Sequence, residues 1–518
     1  MKKPEYKISN VDRMDPFLMS LTSSDNHWMF ISSNGALTAG REKADYSLFP
    51  YITDNLIHSS LNTTGPTTTI EIYKDNNKLD TWSPLSYLPP RHNVEKNLYK
   101  DALGDNILFE EINKDLNITF RYQWLTSREF GFIKRTELVN DSNKELNFKI
   151  IDGIQNILPS GLDVQTQQSL SNLSDAYKHS EIIKDTKLGI FSLGSLIMDR
   201  PDPGEALNAN TVWVRSDINF KPSLSSPKKI NTNIYDEVLT GVPGSYFINS
   251  QITLEQNQKA EWDIVLDVNQ NHKGVVALNE QINFIKSEID LSIEQNQLSL
   301  IKYLGSADGF QVTSSKNNTL HHTSNVLFNI MRGGIFVHNY DINKPDFIKF
   351  LKLRNKNIYH SMVDALDQLN EKATIGELIN FGESQKDPSF TRLCYEYLPL
   401  TFGRRHGDPS RPWNRFNIKV NDGDSVLYYH EGNWRDIFQN WEGLIISYPK
   451  SLPSIISKFL NATTKDGYNP YRINKEGIDW EVVDGDDTWS HIGYWNDHQI
   501  IYLSLIHISE PTRQAESA

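Results

Sequence analysis

The sequence predicts an N-terminal antiparallel β-sandwich followed by a helical region. Apolar and polar residues alternate in many segments of the first 270 or so residues, which is the period of a strand with one buried face. After Asn271, apolar residues recur instead at intervals of three and four, as in amphipathic helices. A chain of 518 residues is also too long for one ordinary core, and roughly 150 residues per domain suggests two to four domains.

The clearest strand pattern is at Ile118, Phe120, Tyr122 and Trp124, which alternate with polar residues. Further predicted strands are Thr67 to Tyr73, Phe132 to Leu138, Leu146 to Ile151, Val212 to Val214, Tyr246 to Leu254 and Trp262 to Leu266. Turn-forming clusters separate these strands, and helical patterns do not intervene. This arrangement is typical of a large antiparallel sandwich.

The helical region begins with a predicted linker helix that carries Ile282, Ile285, Ile289 and Ile293 on one face. Later predicted helices contain Val326 to Ile330, Ile342 to Leu353, Met362 to Leu369 and Phe390 to Leu398. Long loops separate these helices, and binding residues concentrate in loops held by a rigid scaffold. We therefore predict a β domain at residues 1–270, a linker at 271–314 and a helical domain at 315–502.

The composition, with 38% hydrophobic and 23% charged residues, is that of a globular protein. The net charge is -13 without a dense Lys/Arg stripe, so we expect neither a nucleic-acid nor an anionic-membrane partner. No stretch approaches the roughly 18 apolar residues of a membrane span, and Met1 to Leu18 lacks the apolar segment of a secretory signal. The single cysteine, Cys394, is expected to be a buried apolar residue in a cytoplasmic, reducing compartment.

Tryptophan is concentrated near the C-terminus. Six of the 11 tryptophans lie between Gly403 and Gln499, interleaved with carboxylates: Trp413, Trp434, Trp441, Trp480, Trp489 and Trp495. An indole face can stack on the C–H groups of a sugar ring while the sugar hydroxyls donate hydrogen bonds to carboxylates. The block therefore predicts carbohydrate chemistry.

Three segments of this block carry candidate site residues. The first, GRRHGDPSRPWNRF from Gly403 to Phe416, contains four arginines and a histidine, and its glycines and prolines prevent a regular helix. Forked hydrogen bonds from such a loop can hold an anion, which gives the phosphate-binding candidates Arg404, Arg405, His406 and Arg411. The alternative is that these arginines pair with neighbouring carboxylates.

The second segment, HEGNWRDIFQNWEGL from His430 to Leu444, predicts a helix that begins near Trp434. The predicted substrate contacts on it are Trp434, Arg435, Asp436, Gln439 and Trp441. In the alternative interpretation the helix is amphipathic, with its tryptophans in the core and its acids in solvent.

The third segment, from Asp466 to Gln499, contains glycines too often for a plain helix and predicts a long loop that enters a helix near Tyr494. Its predicted substrate contacts are Asp486, Asp487, Trp489 and His498. The nearby stretch from Asn421 to Asp424 predicts a turn between short strands rather than a calcium loop. Since HExxH, paired-cysteine and P-loop patterns are absent, we expect no metal and no tightly bound cofactor.

Residues 503–518 form a separate C-terminal segment. LSLIHISEPTR, from Leu503 to Arg513, resembles the translation of a sequencing adapter. We therefore expect residues 503–518 to be an artefactual tail and the natural protein to continue differently after Tyr502.

The order of β domain, helical linker and helical domain resembles the cellobiose and chitobiose phosphorylases and their relatives among the six-hairpin glycosidases. Arg435 to Asn440 is similar to the family's RDQLQD helix start. Asp466-Gly467-Tyr468, with Asp486-Asp487 and Trp489 after it, is similar to the family's DG turn and SDD-L-W segment. The resemblance covers the chain to Tyr502 and implies a galactose-mutarotase-like supersandwich followed by an incomplete (α/α)6 barrel.

The resemblance also implies roles. The Arg435 helix start would contact the sugar in the subsite before the scissile bond, although Asn440 and Gly485 replace the family's aspartate and serine. The family's general acid lies well downstream of this helix start, which implies a proton donor beyond Tyr502.

Three functions remain open. The resemblance favours inverting phosphorolysis of a β-linked glucan or disaccharide, with inorganic phosphate as co-substrate, in a protein that we expect to form a homodimer. An inverting hydrolase would instead need two carboxyl groups about 6.5 to 9.5 Å apart. The carboxylate candidates within the chain are Glu431, Asp436, Glu442 and Asp487. The third possibility is a sugar-binding protein or inactive fragment without turnover.

Overall fold

The computed structural model describes residues 4–74, 77–197, 204–226, 236–336, 340–401, 417–422, 425–426, 431–434, 441, 444–445, 448–480 and 494–495. The chain divides into two compact units. Unit 1 extends to Leu300, and unit 2 contains the described residues from Ile301 onward.

Unit 1 is built mainly of strands. They are β1 Tyr6–Ser9, β2 Leu18–Ser20, β3 His27–Ser32, β4 Leu37–Arg41, β5 Gly65–Lys74, β6 Asn77–Trp82, β7 Val94–Lys100, β8 Ile107–Asn113, β9 Ile118–Ser127, β10 Gly131–Asn140, β11 Leu146–Ile157, β12 Lys178–Ile183, β13 Leu188–Leu193, β14 Asn208–Arg215, β15 Lys221–Ser225, β16 Val238–Thr240, β17 Gly244–Leu254 and β18 Lys259–Asn271. Every predicted strand falls within one of these. Two short helices, α1 Val164–Ser169 and α2 Ser171–Tyr177, interrupt the strands and were not predicted.

The strands form a large antiparallel sandwich, as the alternating pattern predicts. One sheet has ten strands in the order β1-β7-β8-β9-β10-β18-β14-β13-β12-β16, and the other has five in the order β15-β17-β11-β5-β6. A small third sheet contains β2, β3 and β4. Ile118, Phe120, Tyr122 and Trp124 of β9 all point into the hydrophobic core of the sandwich.

A buried ion pair lies within this core. Lys134 and Asp152 have fully buried side chains, and the Lys134 Nζ atom is 2.6 Å from Asp152 Oδ1. Thr68 Oγ1 and Trp262 Nε1 also donate hydrogen bonds to the Asp152 carboxylate, and each bond is 2.7 Å long. Four donated bonds satisfy the carboxylate, which is the condition under which a charge is tolerated inside a protein.

The linker differs from the single helix that the isoleucine spacing predicts. Helix α3, His272–Gln281, starts directly after the last strand, and α4, Glu288–Ser306, follows after a short 3-10 turn at Ile285–Ser287. Ile282 and Ile289 are nevertheless buried in one cluster with Trp213 and Val265 of the large sheet. The apolar spacing thus identified the buried side correctly, but it did not predict the interruption of the helix at residues 282–284.

Polar side chains fasten α4 to the same sheet. Asp290 accepts hydrogen bonds from Arg135 and Arg215, at 2.5 and 2.7 Å. Asn296 accepts from the Ser24 hydroxyl at 2.7 Å and donates to Thr126 Oγ1 at 3.2 Å.

Unit 2 contains the remaining elements. The helices are α5 Lys316–Gly333, α6 Lys344–Arg354, α7 Lys356–Ser361, α8 Val363–Leu366, α9 Ile375–Ser384, α10 Pro388–Glu396 and α11 Leu452–Asn461. The strands are β19 Ile335–Phe336, β20 Asp341–Asn343, β21 Lys372–Thr374, β22 Leu400–Thr401, β23 Asn421–Asp422, β24 Ser425–Val426, β25 Glu431–Asn433, β26 Tyr468–Asn469, β27 Arg472–Asn474, β28 Ile478–Asp479 and β29 Tyr494–Trp495.

The β-then-α order is therefore confirmed. Helices α5, α6 and α10 match predicted ones, and β23 pairs with β24 as the predicted turn requires. The predicted helix from Met362 to Leu369 is shorter, and α9 and α11 were not predicted. Tyr494 lies in a two-residue strand, so the prediction of a helix start there is wrong.

Residues 342–397 of unit 2 form a compact core of their own. Phe347 and Phe350 of α6 pack with Phe390 and Tyr397 at the two ends of α10. Cys394 is buried in the same core, as predicted, and burial raises the pKa of its thiol to about 12. In the described part of the chain, no helix has the length and apolarity to cross a membrane, and no group of three or more His, Cys, Asp or Glu side chains is placed to hold a metal.

Candidate active site

Strand pairing brings together two of the three segments that the sequence singles out. Strand β25 lies antiparallel to β27, with Glu431 opposite Asn474 and Asn433 opposite Arg472. At the end of β25 the Trp434 amide donates a 2.8 Å hydrogen bond to the Tyr471 carbonyl. The segment from His430 to Leu444 and the segment from Asp466 to Gln499 are therefore neighbours in one small sheet.

A second short pairing holds the third segment together. Strand β26 lies antiparallel to β29, with Tyr468 opposite Trp495. The turn before β26 depends on Gly467, which has a φ of 88°, and on Thr464 Oγ1, which accepts a 2.9 Å hydrogen bond from the Tyr468 amide. Thr464 Oγ1 also donates to Asp466, and this hydrogen bond lowers the pKa of that carboxyl.

Trp434 and Trp441 are core residues. Their exposed fractions are 1% and 2%, and both indoles contact Phe459 of α11, with ring centroids 5.0 and 5.5 Å apart. Three residues of the predicted helix, Trp434, Trp441 and Leu444, are described as helical and buried, and so is Ile445 directly after it. The structure thus corrects the prediction that these two indoles present a face to a sugar, because their apolar rings complete the packing against α11.

Trp480 differs from these two tryptophans. Its exposed fraction is 38%, and its ring stacks on Tyr468 at a centroid distance of 6.0 Å and an interplanar angle of 9°. Trp480 directly follows β28, whose Asp479 Oδ2 accepts a 2.6 Å hydrogen bond from Arg472 Nε of β27. This hairpin therefore presents an accessible indole next to a charged pair.

The hairpin of β27 and β28 is anchored to the helices behind it. Lys475 donates a 2.8 Å hydrogen bond to Asp346 of α6, and the Tyr397 hydroxyl donates to the other oxygen of the same carboxylate at 2.7 Å. The Lys475 and Asp346 side chains are only 9% and 11% exposed, so the ion pair is largely shielded from solvent. An anchor of this kind restricts the position of the hairpin.

A second group of charged side chains lies on the helices α6, α10 and α11. Arg354 of α6 donates to Glu396 of α10 at 3.2 Å, and Lys458 of α11 is buried with an exposed fraction of 2%. Burial, and secondarily the positive charge of Arg354, lower the pKa of Lys458 to about 7, although Glu396 and Glu476 oppose the shift. Asp346 and Lys458 were not chosen from the sequence, because their spacing along the chain is irregular. Trp480 was named there as part of the tryptophan-rich block, but not as a substrate contact.

Most predicted site residues lie outside the described residues. They are the carboxylate candidates Asp436, Glu442 and Asp487, the substrate contacts Arg435, Gln439, Asp486, Trp489 and His498, and the phosphate candidates Arg404, Arg405, His406 and Arg411. The backbone of Glu431 is described in β25. The roles of all these residues stay predictions.

Residues 336–399 match the model of glycoside hydrolase family 149 insertion domain 1. This segment of the chain is similar to an insertion domain of that family. The match supports the predicted class, a glycoside phosphorylase- or hydrolase-like enzyme. The matched segment supplies Asp346 of α6, which binds Lys475 of the hairpin, and Tyr397, which donates a hydrogen bond to Asp346.

Solved structures give remote similarities. The chain is similar to a protein named as a kojibiose phosphorylase from the human microbiome, with a TM-score of 0.32 and 10% identity over 97% of this chain and 59% of the other. A bacterial glucoamylase complexed with acarbose gives a TM-score of 0.29 and 8% identity over 90% of this chain and 72% of the other. An aldose 1-epimerase-type protein from Escherichia coli K12 gives 0.25 and 8% over 49% and 100%. The chain matches no curated protein sequence.

Proposed function

We propose that this protein cleaves a glycosidic bond of a β-linked glucan or disaccharide by inverting phosphorolysis. The family match at residues 336–399 supports action on a glycoside. The pairing of β25 with β27 is the structural observation that carries the proposal, because it joins the two segments that contain the saccharide-binding candidates.

In the proposed reaction a carboxylic acid protonates the oxygen of the leaving sugar while a phosphate oxygen attacks the anomeric carbon from the opposite face. The bond to the leaving sugar breaks as the bond to phosphate forms, and the product is a sugar 1-phosphate of inverted configuration. Arg435, Asp436 and Gln439 would bind the sugar that is attacked. The cluster Arg404, Arg405, His406 and Arg411 would bind the phosphate.

Hydrolysis is the competing reaction, since water can replace phosphate if a carboxylate acts as base. The test is to incubate β-linked gluco-oligosaccharides with the protein, with and without inorganic phosphate. We expect cleavage only with phosphate. Equal release of free sugar without phosphate would contradict phosphorolysis and indicate a hydrolase, and binding without any cleavage would indicate a sugar-binding protein.

A further inference from the structure

Trp480 is accessible to solvent. The described residues include two tryptophans of the same region, Trp434 and Trp441, that are almost completely buried. Trp480 instead keeps 38% of its surface exposed while it stacks nearly parallel on Tyr468. The exposed part of the indole is apolar surface that a bound ligand can cover.

The elements around Trp480 limit its movement. Tyr468 supports the ring from the strand β26, and the residue before Trp480 is tied to Arg472 by the 2.6 Å hydrogen bond between Arg472 Nε and Asp479. The turn of the hairpin is closed by hydrogen bonds in both directions between Asn474 and Gly477. A flat aromatic surface held in this way loses little entropy when a ligand binds to it.

The chemistry around the indole matches a sugar better than an apolar ligand. The Asp479 side chain is 34% exposed, so its carboxylate can accept hydrogen bonds from hydroxyl groups beside the ring. A hexopyranose presents an apolar C–H face bordered by hydroxyls, which fits an indole bordered by a carboxylate.

We propose that Trp480, supported by Tyr468, is the aromatic platform of a saccharide subsite that binds a sugar unit of the substrate other than the one that reacts. The assignment rests on the proposed function, and it adds a residue that determines affinity for longer substrates. Trp480 acts by contact with the substrate and takes no part in bond making or breaking.

The experiment is a titration of the 518-residue protein with β-1,3- and β-1,4-linked gluco-oligosaccharides of two to five units, and isothermal titration calorimetry measures the affinity. We expect Trp480→Ala to weaken binding roughly tenfold and Trp480→Phe to weaken it only about twofold, since the benzene ring keeps part of the stacking surface. Phe284→Ala is the matched control, because Phe284 is 79% exposed in unit 1 and its loss should leave the affinity unchanged.

Trp480→Leu provides a second test if the alanine variant does not fold, since leucine keeps apolar volume without an aromatic face. In assays of saccharide cleavage, the same substitutions should raise the KM for the saccharide with little change in kcat. Unchanged binding in folded Trp480→Ala or Trp480→Leu would overturn the platform while leaving the phosphorolysis proposal intact. Failure of the unmodified protein to bind any of these saccharides would overturn both.

Discussion

Trp434, Trp441 and Trp480 all lie in the tryptophan- and carboxylate-rich block of the sequence, but they differ in burial. Phe459 of α11 covers the first two, whereas only Tyr468 stacks on the third among the described rings. The sequence predicts that indoles gather in this region, but it does not tell a buried indole from an exposed one. That difference depends on α11, a helix whose presence was not predicted.

Lys458 gives a prediction about pH. Its pKa is lowered to about 7 in the folded protein from the ordinary value of 10.5, so the folded state binds fewer protons than the unfolded state between these values. Folding stability should therefore rise as the pH increases from about 7 toward 10. Below pH 7 the lysine is charged in both states, and the whole cost of burying its charge is present.

Lys458→Met removes this cost, because a methionine side chain of similar length carries no charge. We expect the variant to be more stable than the unmodified protein by about 1 to 3 kcal/mol at pH 7, with a difference that shrinks toward pH 10. Thermal unfolding of both proteins between pH 7 and pH 10 measures this difference in stability. A difference that does not vary with pH would show that the amine titrates normally in the folded protein.

The β27 and β28 hairpin depends on its anchor to α6. Replacement of Asp346 by asparagine keeps the shape of the side chain but leaves the Lys475 ammonium without its carboxylate. We expect Asp346→Asn to lower the free energy of unfolding by about 1 to 3 kcal/mol and to speed amide exchange in the hairpin.

Hydrogen exchange followed by mass spectrometry measures this effect at residues 471–480. The matched control is Asp364→Asn in α8, an exposed aspartate whose change should alter stability by less than about 0.5 kcal/mol. Equal protection of the hairpin in Asp346→Asn and in the control would contradict the proposed anchor.

The elements differ in how far the sequence determines them. Strands such as β9 and β18 were predictable because one face of each lies in the core, which imposes a period of two. The linker was predicted as one helix because the isoleucine spacing indicates only which side of the helix is buried. It does not indicate where the chain bends. The strands β25 to β29 have only two or three residues each, which is too short to show a period, and they arise from tertiary pairing.

The order of a β unit followed by a helical unit was predictable for the molecule as a whole, since each unit repeats its own period many times. The relation of the matched segment to the candidate site was not predictable. Residues 336–399 contain none of the predicted contacts, yet Asp346 of α6 in this segment holds the hairpin that presents Trp480. The contact between Lys475 and Asp346 joins side chains more than 100 positions apart in the chain, and no spacing pattern in the sequence predicts it.

The stereochemistry of the product tests the proposed function most directly. The protein is mixed with a β-linked gluco-oligosaccharide in phosphate buffer, and the reaction is monitored by proton and phosphorus NMR. Inverting phosphorolysis predicts that an α-configured sugar 1-phosphate is the first product and that its formation requires phosphate. The early appearance of free sugar at the same rate without phosphate, or of a β-configured sugar 1-phosphate, would contradict it.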